Sequence, residues 1–312
     1  MNYDRSRERT ISRRTVQCVL VVYVCVISSL TAAGQQRLTR ARSLFTTVDF
    51  PGSVSTSPQG INPAGDIVGV YVDAQGEQHG FLLSHGVFST IDFPGAARTD
   101  ARGINPAGEI VGGYALPGEN ALGIHGYQLA GSGEFVSIDY PGHINTIPQR
   151  ILPDGTVLGC YHDNDFMGSM HGFVLRAGQY TGFDMGTTMH NGATPDVGRI
   201  AGLFFDMTLG KPRAYVVQDG NFNALDFPGS IATQAWDENP SGAVVGNYTD
   251  TTHVTHGFLE ERGQFTSIDF PGAMATLARG INPGGDVVGR YVDAGGVTHG
   301  FLASHAQHSL RD

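Results

Sequence analysis

Phe45-Thr46-Thr47-Val48-Asp49-Phe50-Pro51-Gly52 is followed by Gly60-Ile61-Asn62-Pro63, by Ile67-Val68-Gly69-Val70-Tyr71-Val72-Asp73 and by His79-Gly80-Phe81-Leu82-Leu83. This succession returns near the C-terminus as Phe265 to Gly272, Gly280-Ile281-Asn282-Pro283, Val287 to Asp293 and His299-Gly300-Phe301-Leu302. Its marker, Asp-Phe-Pro-Gly, starts at Asp49, Asp92, Asp226 and Asp269, with Asp-Tyr-Pro-Gly at Asp139 and a worn copy at Asp184. Successive markers lie 43, 47, 45, 42 and 43 residues apart, so six copies fill 44–304 without a linker. A period of this length is the signature of a repeat architecture and has to be read before any local feature.

Within each copy, short β-branched and aromatic runs alternate with turn chemistry. Asn62-Pro63-Ala64-Gly65-Asp66 and Asp73-Ala74-Gln75-Gly76 read as hairpin connections. Four short strands in about 43 residues make one blade of a β-propeller. A β-solenoid is the main competitor, but its coils are shorter and its strands parallel, whereas hairpin turns imply an antiparallel meander. The expected fold is therefore all-β: a six-bladed propeller of four-stranded blades. Phe45 to Phe50 has no partner strands before it, and the last copy ends at Phe301-Leu302 without a fourth strand. Pairing the N-terminal strand into the last blade would supply that strand and remove an exposed edge.

The 44 glycines suit such a turn-rich chain. Ahead of the repeats, Arg5, Arg7, Arg9, Arg13 and Arg14 precede an apolar run from Val16 to Leu30 and small residues at Thr31-Ala32-Ala33-Gly34. That order predicts a signal peptide over 1–33, with an uncleaved anchor as the alternative, then a short linker at 34–43. Residues 305–312 form a C-terminal tail. The expected location is secreted, periplasmic or extracellular. Cleavage would remove Cys18 and Cys25 and leave Cys160 alone in an apolar strand, so no internal disulfide can form and a buried structural thiol is expected. It would also make the chain more acidic than its net charge of −10, which argues against nucleic acid as a partner.

The Ile-Asp-Phe-Pro-Gly, Gly-Ile-Asn, Ile-Val-Gly-x-Tyr and His-Gly-Phe motifs resemble the HAF-type extracellular repeats of bacterial secreted proteins. Here His79-Gly80-Phe81, His171-Gly172-Phe173, His256-Gly257-Phe258 and His299-Gly300-Phe301 carry Gly where that family's name implies Ala. The resemblance covers nearly all of 44–304. It implies an extracellular repeat protein of no established activity and brings no catalytic residues with it.

The copies also serve as an internal alignment. His79, His125, His171, His256 and His299 recur, with Arg213 in the fourth copy. Equivalent positions on a ring lie too far apart for one metal ion, whose ligands sit about 2 Å away. These histidines are expected to be structural, tying strands to backbone carbonyls or to the marker carboxylates Asp49, Asp92, Asp139, Asp226 and Asp269. No cofactor is expected. Calcium is the one alternative, and His162-Asp163-Asn164-Asp165 the nearest candidate, through Asp163 and Asp165. Function on a symmetric scaffold needs asymmetry, and it appears where copies break the rule. If Gly-Ile-Asn lies on the innermost strand, the preceding residues form a ring: Gln59, Arg102, Gln149, Asn191, Trp236 and Arg279. With Asp237 they would suit a polar or saccharide ligand at a channel mouth, drift in worn copies being the plain alternative.

No nucleophile elbow, P-loop, zincin or dinucleotide motif occurs. The reading is a secreted, monomeric, non-catalytic binding or scaffold protein for a polar small molecule, a saccharide or an extracellular protein. Its ligand would sit at the channel mouth or on the face of repeats three to five. The alternative is a propeller enzyme, a sugar-directed hydrolase, lyase or lactonase with a metal or carboxylate centre in the channel.

Overall fold

A computed structural model describes residues 44–304 except 120–122, 144, 164–169, 185–186 and 194–198, and leaves out the side chains of 183 and 187–193. The signal peptide, the linker and the C-terminal tail expected at 1–33, 34–43 and 305–312 thus lie outside the described residues. Among the described residues the chain is all-β, with no helix.

Each copy forms the strands its periodicity implies. β2 (Ser55–Ile61), β3 (Ile67–Val72), β4 (Gln78–Ser84) and β5 (Val87–Ile91) make one antiparallel meander, and the pattern repeats around the ring. The turn between β2 and β3 is built by Asn62, whose Oδ1 accepts the backbone N–H groups of Ala64 and Asp66, both at 2.9 Å. Side-chain capping of this kind is why Asn precedes Pro at this corner.

The last sheet closes the ring. β1 (Leu44–Thr47) pairs antiparallel with β24 (Thr298–Ser304), which continues to β23 (Val287–Val292) and β22 (Ala275–Ile281). Leu44 lies opposite Ser304 and Thr47 opposite Phe301. Six four-stranded sheets result, and the protein is a six-bladed β-propeller.

The core lies between blades. Val68 of β3 is fully buried against Ala101, Ile110 and Tyr114 of the next blade, and Val288 against Ile61 and Ile67 across the closure. The glycine of Ile-Val-Gly-x-Tyr follows from this packing. A Cβ on Gly69 would come within 2.6 Å of the Phe81 ring, so the ring can lie on the backbone only where no side chain is present. Above it, Phe50 stacks on Tyr71 at 3.7 Å between centroids, and Tyr71 stacks on His79 at 5.0 Å. The same aromatic column recurs at Phe93–Tyr114–His125, Phe227–Tyr248–His256 and Phe270–Tyr291–His299.

Deleting 44–50 from the full chain removes β1 and Asp49 and should lower the thermal midpoint by about 5 °C or more. An unchanged midpoint would show that the last blade does not need its N-terminal strand.

Candidate functional site

Two kinds of polar arrangement stand out, one repeated around the periphery and one asymmetric at the axis. At the periphery each copy holds a histidine or an arginine between two carboxylates. His79 places Nδ1 2.9 Å from Asp92 and Nε2 3.6 Å from Asp73. His125 lies between Asp139 and Glu119, both at 3.1 Å, and His171 between Asp184 and Asp163. His256 joins Asp269 to Asp250, and His299 joins Asp49 at 2.7 Å to Asp293 at 3.4 Å. Arg213 performs the same office, donating to Asp226 and Asp206. Asp49 also accepts the N–H of Gly300, so this bridge fastens the closing strand.

Burial opposes protonation of His79, His125 and His171, but their two carboxylates outweigh it and raise each above the ordinary histidine value; for His299 the Asp49 hydrogen bond leads. The calcium candidate falls in this peripheral set. Asp163 faces ring nitrogens of His171 and His143, at 3.4 and 3.9 Å, rather than the oxygen donors calcium prefers, and Asp165 lies outside the described residues.

The asymmetric site is at the axis. The innermost strands are β2, β6 (Arg98–Ile104), β10 (Thr146–Ile151), β14 (Thr187–Ala193), β18 (Ala232–Glu238) and β22. Every one carries a β-bulge, and the extra residue is Gln59, Arg102, Gln149, Asn191, Trp236 or Arg279. A bulge leaves one residue out of the ladder and re-aims its side chain. The ring expected from the sequence is thus the ring of bulged residues. Gln59, Arg102, Trp236 and Arg279 line a cavity of about 410 Å³ with Ser55, Ser57, Gln78, Asp100, Arg290 and Thr298. Blades one, two, five and six supply this lining. Of the face of repeats three to five, the other expected location, only Trp236 takes part.

Several side chains are fixed within it. Arg102 donates through Nε and Nη2 to the two oxygens of Asp100, at 3.0 and 2.8 Å, and through Nη1 to Gln149 at 3.3 Å. Gln149 is buried and does not line the cavity, and the side chain of Asn191 lies outside the described residues. Trp236 donates Nε1–H to Asn247 at 2.5 Å, and the Arg279 guanidinium lies 3.7 Å above the Trp236 ring.

Asp237 does not line this cavity with the ring. It points away from the cavity, because it follows the bulge and occupies the position that Gly60, Gly103 and Gly280 hold in other copies. Its oxygens meet Nε of Arg150 at 2.9 Å and the backbone N–H groups of Ile281 and Glu238. Burial raises its proton affinity, and Arg150 counters that rise. Arg150 stands at the same glycine position in the third copy. Its Nη1 donates to the carbonyls of Arg102 and Gln149, at 3.0 and 2.7 Å, and its Nη2 to those of Trp236, at 3.2 Å, and Arg279. One guanidinium therefore binds the backbone of four bulges. On its far side lies a narrow cavity of about 90 Å³ lined by Asn62, Asn105, Asp237 and Glu238. Glu238 is buried and donated to by Arg199, yet burial pushes its carboxyl up to about 7.

Arg150, Glu238 and Arg290 were missed in the sequence. The signal was present: aligned copies put Arg150 where glycine stands and Arg290 where Val70 stands. Cys160 is buried on its strand as expected, and burial pushes its thiol up to about 12.

No protein-family model and no curated protein sequence matches the chain. Solved structures do resemble it. TolB from Acinetobacter baumannii aligns with a TM-score of 0.53 and 14% identity, over 77% of this chain and 64% of its own. A gluconolactonase from Xanthomonas campestris aligns at 0.50 and 13%, over 85% and 99%. A triple arginine-to-alanine variant of AofleA from Arthrobotrys oligospora aligns at 0.51 and 13%, over 84% and 86%. At such identities the likeness concerns the fold alone.

Arg150→Gly leaves Asp237 buried without its cation and should destabilise the protein by about 3–5 kcal/mol in denaturant unfolding. Arg150→Gly with Asp237→Gly, which restores the glycines of the other copies, should be less destabilising than the single change. A double variant weaker than the single one would show that the pair is not a mutual compensation.

Stability should also fall between pH 6 and pH 8. The raised histidines contribute fully below their ordinary 6.5 and lose that contribution as pH climbs through their folded values. Glu238 binds its proton more tightly folded than unfolded, so it too disfavours the native state as pH rises from 4.5 toward 7. A thermal midpoint that rises from pH 6 to pH 8 would contradict both.

Proposed function

We propose that the protein is an exported, non-catalytic binding module of the HAF-repeat kind, whose ligand is a polar small molecule or saccharide seated at the arginine-lined mouth of the channel. The observation that carries this reading is the division of labour at the axis. The bulged residues at the mouth are polar or aromatic and vary between copies, while the carboxylates nearest the axis are committed to arginines. Asp100 is held by Arg102, Asp237 by Arg150 and Glu238 by Arg199. A cavity of about 410 Å³ with convergent polar groups is in the size range of small-molecule sites, about 300–1,000 Å³. The basic, apolar and small-residue order of residues 1–33 supports export, and the motif resemblance supports the family.

The enzyme reading rests on Glu238. A carboxyl raised to about 7 can serve as a general acid, and it lines the narrow end opposite the mouth. The fold is shared with a gluconolactonase, which keeps lactone hydrolysis among the reactions to try.

Purified protein should retain glycans or polar metabolites on an array, and Trp236→Ala should lose at least about tenfold in affinity, as aromatic anchors in binding sites do. Hydrolase, lyase and lactonase assays should show no turnover. Turnover abolished by Glu238→Gln would reverse the choice between the two readings.

A further inference from the structure

The chain carries 19 basic against 29 acidic side chains, yet four of its arginines meet around one channel. Two of the four are neutralised: Arg102 by the paired oxygens of Asp100, and Arg150 by Asp237. Arg279 and Arg290 have no carboxylate partner among the described residues, and both line the 410 Å³ cavity. Nε of Arg279 is buried with no acceptor. A buried donor left unpaired is unfavourable, and two uncompensated guanidinium groups sharing a cavity repel each other. Burial, followed by the charges of Arg290, Arg102 and Arg150, holds Arg279 well below the ordinary arginine range, and burial lowers Arg290.

Blade one forms the same strands with neither residue at the equivalent positions. Blades one and six share 17 of 23 residues from Gly60 to Leu82 and from Gly280 to Leu302, and both fold alike. Where blade six has Arg279 on its bulge, blade one has Gln59. Where blade six has Arg290 on its second strand, blade one has Val70. The same scaffold is thus complete without either arginine, and both turn their charge into one cavity.

We infer, resting on the reading of the channel mouth as the binding site, that the ligand is a carboxylate-bearing, hydroxyl-rich small molecule, a hexuronate sugar being the simplest example. The arginine fork pairs with a carboxylate through parallel N–H bonds in the plane of the guanidinium. Arg279 is ready for that geometry. Its flat face lies on Trp236, which is itself held by Asn247, so the plane is fixed and its edge remains for an anion. Arg290 supplies the second positive charge. Ser55, Gln78 and Thr298, on the same cavity wall, offer donors and acceptors for ring hydroxyls.

Trp236 is the single tryptophan of the chain, so its emission reports the site alone. Titration with D-glucuronate and D-galacturonate, followed by Trp236 fluorescence and by calorimetry, should saturate and should weaken with added salt. D-glucose and the methyl ester of glucuronate should bind roughly tenfold more weakly or worse. Arg279→Gln and Arg290→Val install the blade-one residues and should each weaken uronate binding roughly tenfold without lowering the thermal midpoint. Equal binding of glucose and glucuronate, or uronate binding indifferent to both substitutions, would overturn the inference. Inorganic phosphate competing as tightly as uronate would overturn its carboxylate part. A neutral glycan that shifts Trp236 emission when uronates do not would sink the anionic ligand and leave the binding module standing. Silence from every glycan and metabolite would remove both.

Discussion

The room at the propeller axis is the constraint on which the rest of the molecule depends. Six inner strands converge there, and backbone meets backbone at Gly60, Gly103 and Gly280, each one residue after a bulge. A Cβ on Gly60 would come within 2.7 Å of the Arg102 carbonyl, and one on Gly280 within 3.0 Å of the Gln59 carbonyl. Real Cβ atoms essentially never come as close as the first distance and seldom as close as the second, which explains the Gly of Gly-Ile-Asn better than any turn would. The bulge one residue earlier is the other half of the device. It takes a residue out of the ladder and, at Gln59, Arg102, Trp236 and Arg279, turns the side chain into the cavity, where chemistry can vary without disturbing strand pairing.

Two copies carry a side chain at this position. Arg150 and Asp237 both stand at a glycine position, and the two side chains answer each other across the channel. Arg150 binds the carbonyls of bulges from blades two, three, five and six, so it acts as a tie across the ring as well as a counter-ion. Asp237, with two backbone N–H donors besides Arg150, is satisfied although buried. The channel is thereby divided into an open polar mouth and a narrow far end. The residues lining the larger cavity lie on one side of this partition and the carboxyl of Glu238 on the other.

Sequence reasoning reached the architecture because the fold is written six times. A turn residue such as Asn62 or a column such as Phe50–Tyr71–His79 recurs in register, and recurrence separates structural need from accident. Even the closure was readable, since Phe45 to Phe50 had no strands of its own to join. The ring of Gln59, Arg102, Trp236 and Arg279 was readable for the same reason, although the bulge that aims them was not. Asp237 and Arg150 were harder. Each looks like a lone departure from Gly-Ile-Asn, and only the geometry of the ring brings residues 87 positions apart into an ion pair. Arg290 was hidden for a different reason: it occupies the variable position of Ile-Val-Gly-x-Tyr, which reads as an ordinary strand residue until the strand is placed beside the channel.

The partition at the axis is the point where fold and function meet, and a crystal structure of the protein tests it directly. Six bulged inner strands should surround Arg150, with its guanidinium on the carbonyls of Arg102, Gln149, Trp236 and Arg279 and its Nε on Asp237. An Arg150 turned out to solvent, or inner strands that run without bulges, would leave the mouth without its floor and its residues without their aim.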